Sequence, residues 1–380
     1  AKDGAEAISA AMVAPGQIAT LILPGDTAWN EGSEAQNIEL QVTLNKVPSA
    51  LIKEAALALQ KAKNPMILVG GAALEEGNLI NIAKIADKLG CPIKTDWFNA
   101  RLDKGAGRIN SVRIPYVVDS AVSILKDFDT IIVIGARRPV AFFAYPNKPG
   151  ILTQDGTKFI ELASLSDNIG EMVEELSDLL GATKIIPSTI SQMKIPEIPV
   201  GPINTTSLGM VLGALIPENA IIVDESVTTG REFFAQTAGS RPHTWLNNCG
   251  GSIGFGMPLA IGAAVASPDQ KVIALEGDGS AMYTVQSLWT MARENLDITV
   301  LIFANQSYKI LQGELTNVGV VNPGKSALEM LSLKNPSLDW VSISRGMGVD
   351  AVRVDNIDDL VKFFKYGLKE NGPYLIEVMI

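Results

Sequence analysis

Asp278 and Asn305 are the residues whose types and spacing most directly suggest chemistry. The run KVIALE reads as a strand passing straight into Gly277-Asp278-Gly279-Ser280, which sets a carboxylate among glycine amides where a strand ends and a turn toward a helix begins. Glycine there lets the backbone approach a phosphorylated ligand closely, and successive N–H groups form an anion nest. The next apolar run, DITVLIFAN, ends at Asn305, 27 positions after Asp278, with Gln306-Ser307-Tyr308 beyond it. Two neighbouring strand ends would then supply hard oxygen ligands. The Asp278 carboxylate, the Asn305 amide oxygen and the Ser307 carbonyl, with two diphosphate oxygens, nearly complete the octahedron that Mg²⁺ requires. Asp and Gly are common turn residues, so a bare GDG says little; the pair and its spacing sharpen it.

The elements that must position these residues alternate between strand and helix. A helix from Pro48 to Ala62, a strand in NPMILVGGAAL and a helix from Leu79 to Leu89 are followed by strands at Cys91–Thr95, Thr130–Gly135 and Lys158–Leu162 and a helix at Val117–Leu125. After a proline-rich linker, 183–203, come a helix over 205–215, a strand at Ala220–Asp224, a helix at Pro258–Ala266, a strand at Lys271–Leu275, a helix at Val285–Glu294, and strands at Thr299–Ala304 and Tyr374–Val378. Such alternation predicts α/β architecture with two doubly wound parallel-sheet domains, a middle one over 36–182 and a second over 204–380. Ligands on such sheets bind beyond the carboxyl ends of the strands. Residues 1–35 read as a helix from Gly4 to Met12 and a strand from Ile18 to Leu23. One helix and one strand cannot cover a sheet, so they are expected to be the tail of a third domain.

GDGSAMYTVQSLWT, followed at this distance by ANQSY, resembles the cofactor signature of the thiamine diphosphate enzymes. The segment 247-NNCGGSIGFGMPLAIGAA-264 resembles the stretch that lies against the aminopyrimidine ring in acetolactate synthases and benzoylformate decarboxylase. The resemblance implies that Ile253, with Ser252 before it, bends the cofactor and that Gly251 offers its carbonyl to the 4′-amino group. It implies that 224-DESVTT-229 reaches the diphosphate through Ser226, Val227 and Thr228, and that Gly277, Asp278, Gly279, Ser280, Asn305, Ser307 and Tyr308 hold diphosphate and metal. IATLILPGDTAW resembles the last strand of the family's pyrimidine-binding domain, most of which is expected to be missing, together with the glutamate that activates the cofactor. No catalytic residue is therefore assigned here. The implied function is an acetolactate synthase-like enzyme using thiamine diphosphate and Mg²⁺ to decarboxylate a 2-keto acid and ligate the product. A benzoylformate decarboxylase-type lyase and a non-catalytic cofactor-binding homologue are the alternatives.

Several features narrow this. IGARRPVAFFAYPNKPG lacks the acidic and arginine pattern expected for FAD, which makes FAD doubtful, and GAGRINSVRIPY lacks the middle-domain histidine of benzoylformate decarboxylase. His243 in RPHTW has no partner in sequence and reads as structural; Gln312 and Glu314 in YKILQGEL fall on a helix that the resemblance turns toward substrate, or on a solvated face. The net charge of -10, without a basic run, argues against nucleic acid. The apolar runs are of strand length, which predicts no membrane span. Cys91 and Cys249, far apart, read as small buried residues in a reducing, cytoplasmic setting. By analogy the chain is expected to act as a homodimer or homotetramer, its site completed by the missing domain or a neighbouring subunit.

Overall fold

The computed structural model describes residues 1–38 and 43–380. Residues 39–42, inside the stretch expected to open the middle domain, lie outside the described residues. The strands are β1 (Pro65–Val69), β2 (Ile93–Thr95), β3 (Arg101–Lys104), β4 (Val112–Arg113), β5 (Thr130–Ile134), β6 (Lys158–Ala163), β7 (Ile221–Glu225), β8 (His243–Asn247), β9 (Val272–Gly277), β10 (Ile298–Ala304), β11 (Asp350–Val354) and β12 (Tyr374–Met379). They form a five-stranded sheet, β4-β2-β1-β5-β6, and a seven-stranded sheet, β11-β12-β10-β9-β7-β8-β3.

Every pairing of the first sheet is parallel. Its central strands are buried at every position, because alternate residues face opposite helical layers. Ile67, Val69, Ile132 and Ile134 pack against helices Ser49–Lys61, Glu76–Leu89 and Ile169–Leu180. Met66, Leu68, Ile131 and Val133 pack against helix Val118–Leu125. The second sheet repeats the device: Ile222, Ile273, Leu301 and Ile376 face helices Thr205–Leu215 and Ile357–Gly367, whereas Val223, Ala274, Val300 and Leu375 face Gly256–Ala266 and Ser287–Arg293. Each such aliphatic side chain stabilises the fold by about 1.5–3 kcal/mol relative to exposure.

The predicted alternation and its two parallel sheets are present, with three departures. The second sheet takes its edge strand from the stretch that otherwise builds the first sheet: β3 pairs antiparallel with β8, Leu102 opposite Trp245. Lys104 at the end of β3 is buried, donates to the Phe234 carbonyl and stands 3.1 Å from the Phe234 ring centroid. Burial, reinforced by Arg113, holds its ammonium well below the ordinary lysine range. The second departure is at 18–23, where no strand forms; Ile18 and Ile22 are 95% and 83% exposed. An apolar run becomes a strand only when another strand takes its N–H and C=O groups, and none of the described residues does so here. The third is Cys249, which is exposed while Cys91 is buried, so only one of the two behaves as a core residue. Between the sheets, residues 183–203 contain no helix or strand, as the prolines predicted, but they are pinned: Asp87 accepts from the Ser188 amide and hydroxyl, and the Lys194 amide bonds the Gly239 carbonyl at 2.8 Å.

Candidate active site

Four adjacent strands of the second sheet, in the order β8-β7-β9-β10, release their chains at the same edge. Parallel register aligns their ends, with Glu225 opposite Glu276 and Gly277 opposite Phe303. The loops that follow, 226–230, 248–255, 278–284 and 305–308, contain every residue nominated for cofactor or metal except Gly277, which closes β9.

Asp278 starts a short helical turn over Asp278–Ala281 and is 3% exposed. One carboxylate oxygen accepts the Gly279 amide at 3.0 Å; the other accepts the Gln306 amide at 2.6 Å, tying the end of β9 to the loop after β10. Burial outweighs those hydrogen bonds and pushes its pKa up to about 6, helped by the Glu377 carboxylate. Asn305 is next to that contact, its amide oxygen accepting the Ser307 amide at 2.9 Å and the Ser307 hydroxyl at 3.0 Å. Gln306 adopts φ +54, a left-handed turn that brings its N–H round to Asp278. Tyr308 lies over Gly279, where any Cβ would stand 2.7 Å from its ring. Ser280 is half-buried in the same turn.

Ser226 is 2% exposed, and its amide and hydroxyl both donate to Asp224. Val227 takes φ +48, the left-handed region that a β-branched residue enters only under constraint, and Thr228 is half-buried beside it. Burial raises the Asp224 carboxyl, an effect that the Ser226 hydroxyl and amide and the Arg113 guanidinium partly offset.

The glycine segment is braced from three sides. The Asn248 amide accepts from the Ser252 N–H and donates to the Ser252 carbonyl, each at 3.1 Å, closing the turn through Gly250 and Gly251. The Thr284 hydroxyl donates to the Gly254 carbonyl at 2.9 Å. Glu225 accepts the Gly254 amide on one oxygen and the Gly256 amide on the other, the latter at 2.6 Å. Glu276, fully buried beside it, has no hydrogen-bond donor to either oxygen among the described residues; burial and the neighbouring Glu225 hold it well above the usual carboxylate range. The segment presents Gly251, Ser252 and Ile253 outward, Ile253 being 42% exposed, so core packing is not its role.

The first sheet reaches this face. The Phe142 ring stands 3.1 Å from where a Cβ on Gly251 would lie, and it packs against Phe98, Tyr116 and Phe143 with centroids 5.0, 6.1 and 4.8 Å away. The Tyr145 hydroxyl lies against the Glu314 carboxylate and the Tyr116 hydroxyl, and burial with those neighbours raises its pKa. Glu314, on helix Lys309–Asn317, is therefore half-buried against the first sheet's loops rather than on a free face; Gln312, on the same helix, is half-buried.

Glu225, Glu276, Asn248 and the aromatic cluster were not nominated from the sequence. Glu225 stands inside DESVTT, but its partners are 29 and 31 residues away, and no local pattern announces that. His243 is 3% exposed at the opposite, amino end of β8; its Nδ1 is 2.7 Å from the Arg241 carbonyl oxygen, and burial lowers its pKa to about 4. It is a structural residue away from the loop cluster.

The donor set suits a metal-bound diphosphate. Asp278 is desolvated, its neighbours are backbone amides and a second carboxylate rather than a lysine or arginine, and a divalent cation would relieve that burial.

Residues 229–378 match the model of the thiamine pyrophosphate enzyme C-terminal TPP binding domain, and residues 52–186 match that of the thiamine pyrophosphate enzyme central domain. IlvX of Mycobacterium tuberculosis, whose name assigns it provisionally to the acetolactate synthase large subunits, is 39% identical over 381 residues, covering 99% of this chain and 72% of that protein. Benzoylformate decarboxylase of Pseudomonas aeruginosa is 28% identical over 397 residues, with 98% of this chain and 72% of that protein covered. In fold, the chain is similar to the thiamine diphosphate-dependent 4-hydroxybenzoylformate decarboxylase of Rhodococcus jostii, with a TM-score of 0.76 at 23% identity over 100% of this chain and 73% of that one. The two domain matches at their respective sheets and the likeness along the whole chain show that it belongs to the thiamine diphosphate-dependent enzyme family, among the acetolactate synthase and benzoylformate decarboxylase relatives.

Proposed function

We propose that this chain carries the diphosphate and metal half of an acetolactate synthase-like enzyme, dependent on thiamine diphosphate and Mg²⁺, that removes CO₂ from a 2-keto acid and joins the product to a second carbonyl compound. The buried Asp278 carboxylate, where the loops after β9 and β10 meet, is the observation that carries this reading. Asp278, Asn305 and Ser307 are the residues that would hold the metal. The 226–228 and 277–280 turns would supply amides and hydroxyls to the diphosphate. Thiamine diphosphate, when bound, supplies the electron sink for decarboxylation, and the protein supplies orientation. Gly251 and Ile253, held outward on a braced segment, would meet the ring end of the cofactor. The activating glutamate is expected in a pyrimidine-binding domain of the same polypeptide or of a neighbouring subunit, which makes a homo-oligomer part of the proposal.

One observation favours a second reading. The Phe98, Tyr116, Phe142 and Phe143 cluster against Gly251 offers an aromatic surface beside the proposed reacting end, which suits an aryl 2-keto acid and plain decarboxylation. Full-length protein with thiamine diphosphate and Mg²⁺, given pyruvate or benzoylformate, separates the two by mass spectrometry. Acetolactate from pyruvate supports the synthase. Benzaldehyde from benzoylformate, without acetolactate, supports the decarboxylase. Neither product, with the cofactor bound, leaves another 2-keto acid as substrate or a non-catalytic binding role.

A further inference from the structure

We propose that Glu225 is a positioning residue: its carboxylate fixes the 250–256 glycine segment to the end of β7 and thereby holds Gly251 and Ile253 at the ring end of the cofactor site. The proposal rests on the functional reading above for what that segment meets, but the clamp itself stands on geometry. Glu225 is 3% exposed and is the last residue of β7, its backbone fixed by pairing to Glu276 of β9, one residue beyond the last β7–β8 pair at Asp224. Its two oxygens are both taken by backbone amides of one segment, Gly254 and Gly256, and the next residue in the chain, Ser226, begins the turn nominated for the diphosphate. One side chain therefore joins the two loops that would meet opposite ends of the same ligand.

The approach is close enough to dictate the residues around it. A Cβ on Gly256 would stand 2.9 Å from the Glu225 carboxylate and 2.1 Å from the Glu276 carboxyl. Gly254 has φ +87, and a Cβ there would meet the Tyr283 Cβ at 2.6 Å. Only a carboxylate offers two acceptor oxygens in one plane; an amide of the same shape offers one, and turns its NH₂ against the other N–H. Both amides would otherwise be buried without a partner, so the C-terminal half of the segment is tied to β7 by Glu225, while Asn248 closes the turn before it. Ile253 lies between the braced Ser252 and the clamped Gly254, which explains how a large aliphatic side chain stays 42% exposed instead of folding into the core.

The test uses the full-length protein and two variants that act from opposite sides, E225Q on the acceptor and G256A on the segment. Hydrogen exchange followed by mass spectrometry should show amide exchange in peptides covering 250–256 faster by about tenfold in both, with β1 and β10 peptides unchanged. Calorimetry then distinguishes positioning from general damage. Affinity for thiamine diphosphate with Mg²⁺ should fall by about tenfold, and affinity for inorganic diphosphate with Mg²⁺ by clearly less, because Asp278, Asn305 and Ser307 are bonded to one another's loops and not to Glu225. Unchanged exchange in 250–256 overturns the clamp. Faster exchange with undiminished thiamine diphosphate affinity, or an equal loss for inorganic diphosphate, overturns the positioning role. A wild-type protein that binds no thiamine diphosphate would sink the functional reading, and with it the positioning role, while the exchange comparison still decides the clamp.

Discussion

The two sheets share a parallel core and the same helix-covered construction, yet their carboxyl ends have opposite characters. At the end of β1 and β5 the backbone closes on itself: a Cβ on Gly70 would stand 2.7 Å from the Gly135 carbonyl, and one on Gly71 would run into the Leu165 side chain. At the end of β7, β9 and β10 the chain instead gathers Glu225, Glu276 and Asp278, all buried. Two neighbouring sheets of one layered construction, though of different strand order, thus show that the architecture offers a crevice and the residues at its rim decide whether it can hold a ligand. The first sheet contributes to the site from outside, through Phe142 lying on Gly251.

Breaking the second rim should give the largest effect. Asp278→Ala removes the acidic metal ligand and should lower Mg²⁺-dependent thiamine diphosphate affinity by at least about a hundredfold; an unchanged calorimetric Kd would sink the metal assignment. The other end of β8 sharpens the comparison through acid. His243 titrates near 4 when folded against about 6.5 unfolded. The unfolded chain therefore binds a proton that the folded chain refuses, so this contribution is intact above pH 6.5 and lost as pH falls toward 4, by about 3 kcal/mol in all. Urea denaturation of His243→Asn should show a correspondingly flatter acid limb over that window, since His243 is the chain's single histidine. The smallest effect belongs to the first rim. Gly70→Ala should cost about 1–3 kcal/mol of stability through the clash with Gly135 and leave cofactor affinity alone; a changed affinity would mean that the first rim also touches the ligand.

Much of this was legible in sequence because apolar strands bounded by glycine and proline announce themselves locally. DITVLIFAN became β10, buried along its whole length, and the spacing from Asp278 to Asn305 did bring them to neighbouring strand ends. RPHTWLNN was not read as a strand, since β8 mixes polar and apolar residues and owes its pairing to β7 and β3. RLDK gave no hint that β3 would leave the first sheet for the second. IATLIL looked like a strand and is exposed, because a local pattern proposes a strand but only a partner makes one.

By itself, then, the sequence determined the alternating α/β elements, the two parallel sheets and the turn chemistry of GDGS and ANQS, because continuous apolar runs and the glycine turns that bound them are properties of adjacent residues. Tertiary structure alone decided that Glu225 would face Gly254 and Gly256, that Phe142 would lie on Gly251 and that His243 would be buried away from the loops. Those contacts join residues that are distant along the chain. Which of them form is set by how the layers pack and which buried polar groups must find partners, and that balance is struck only when the whole core closes.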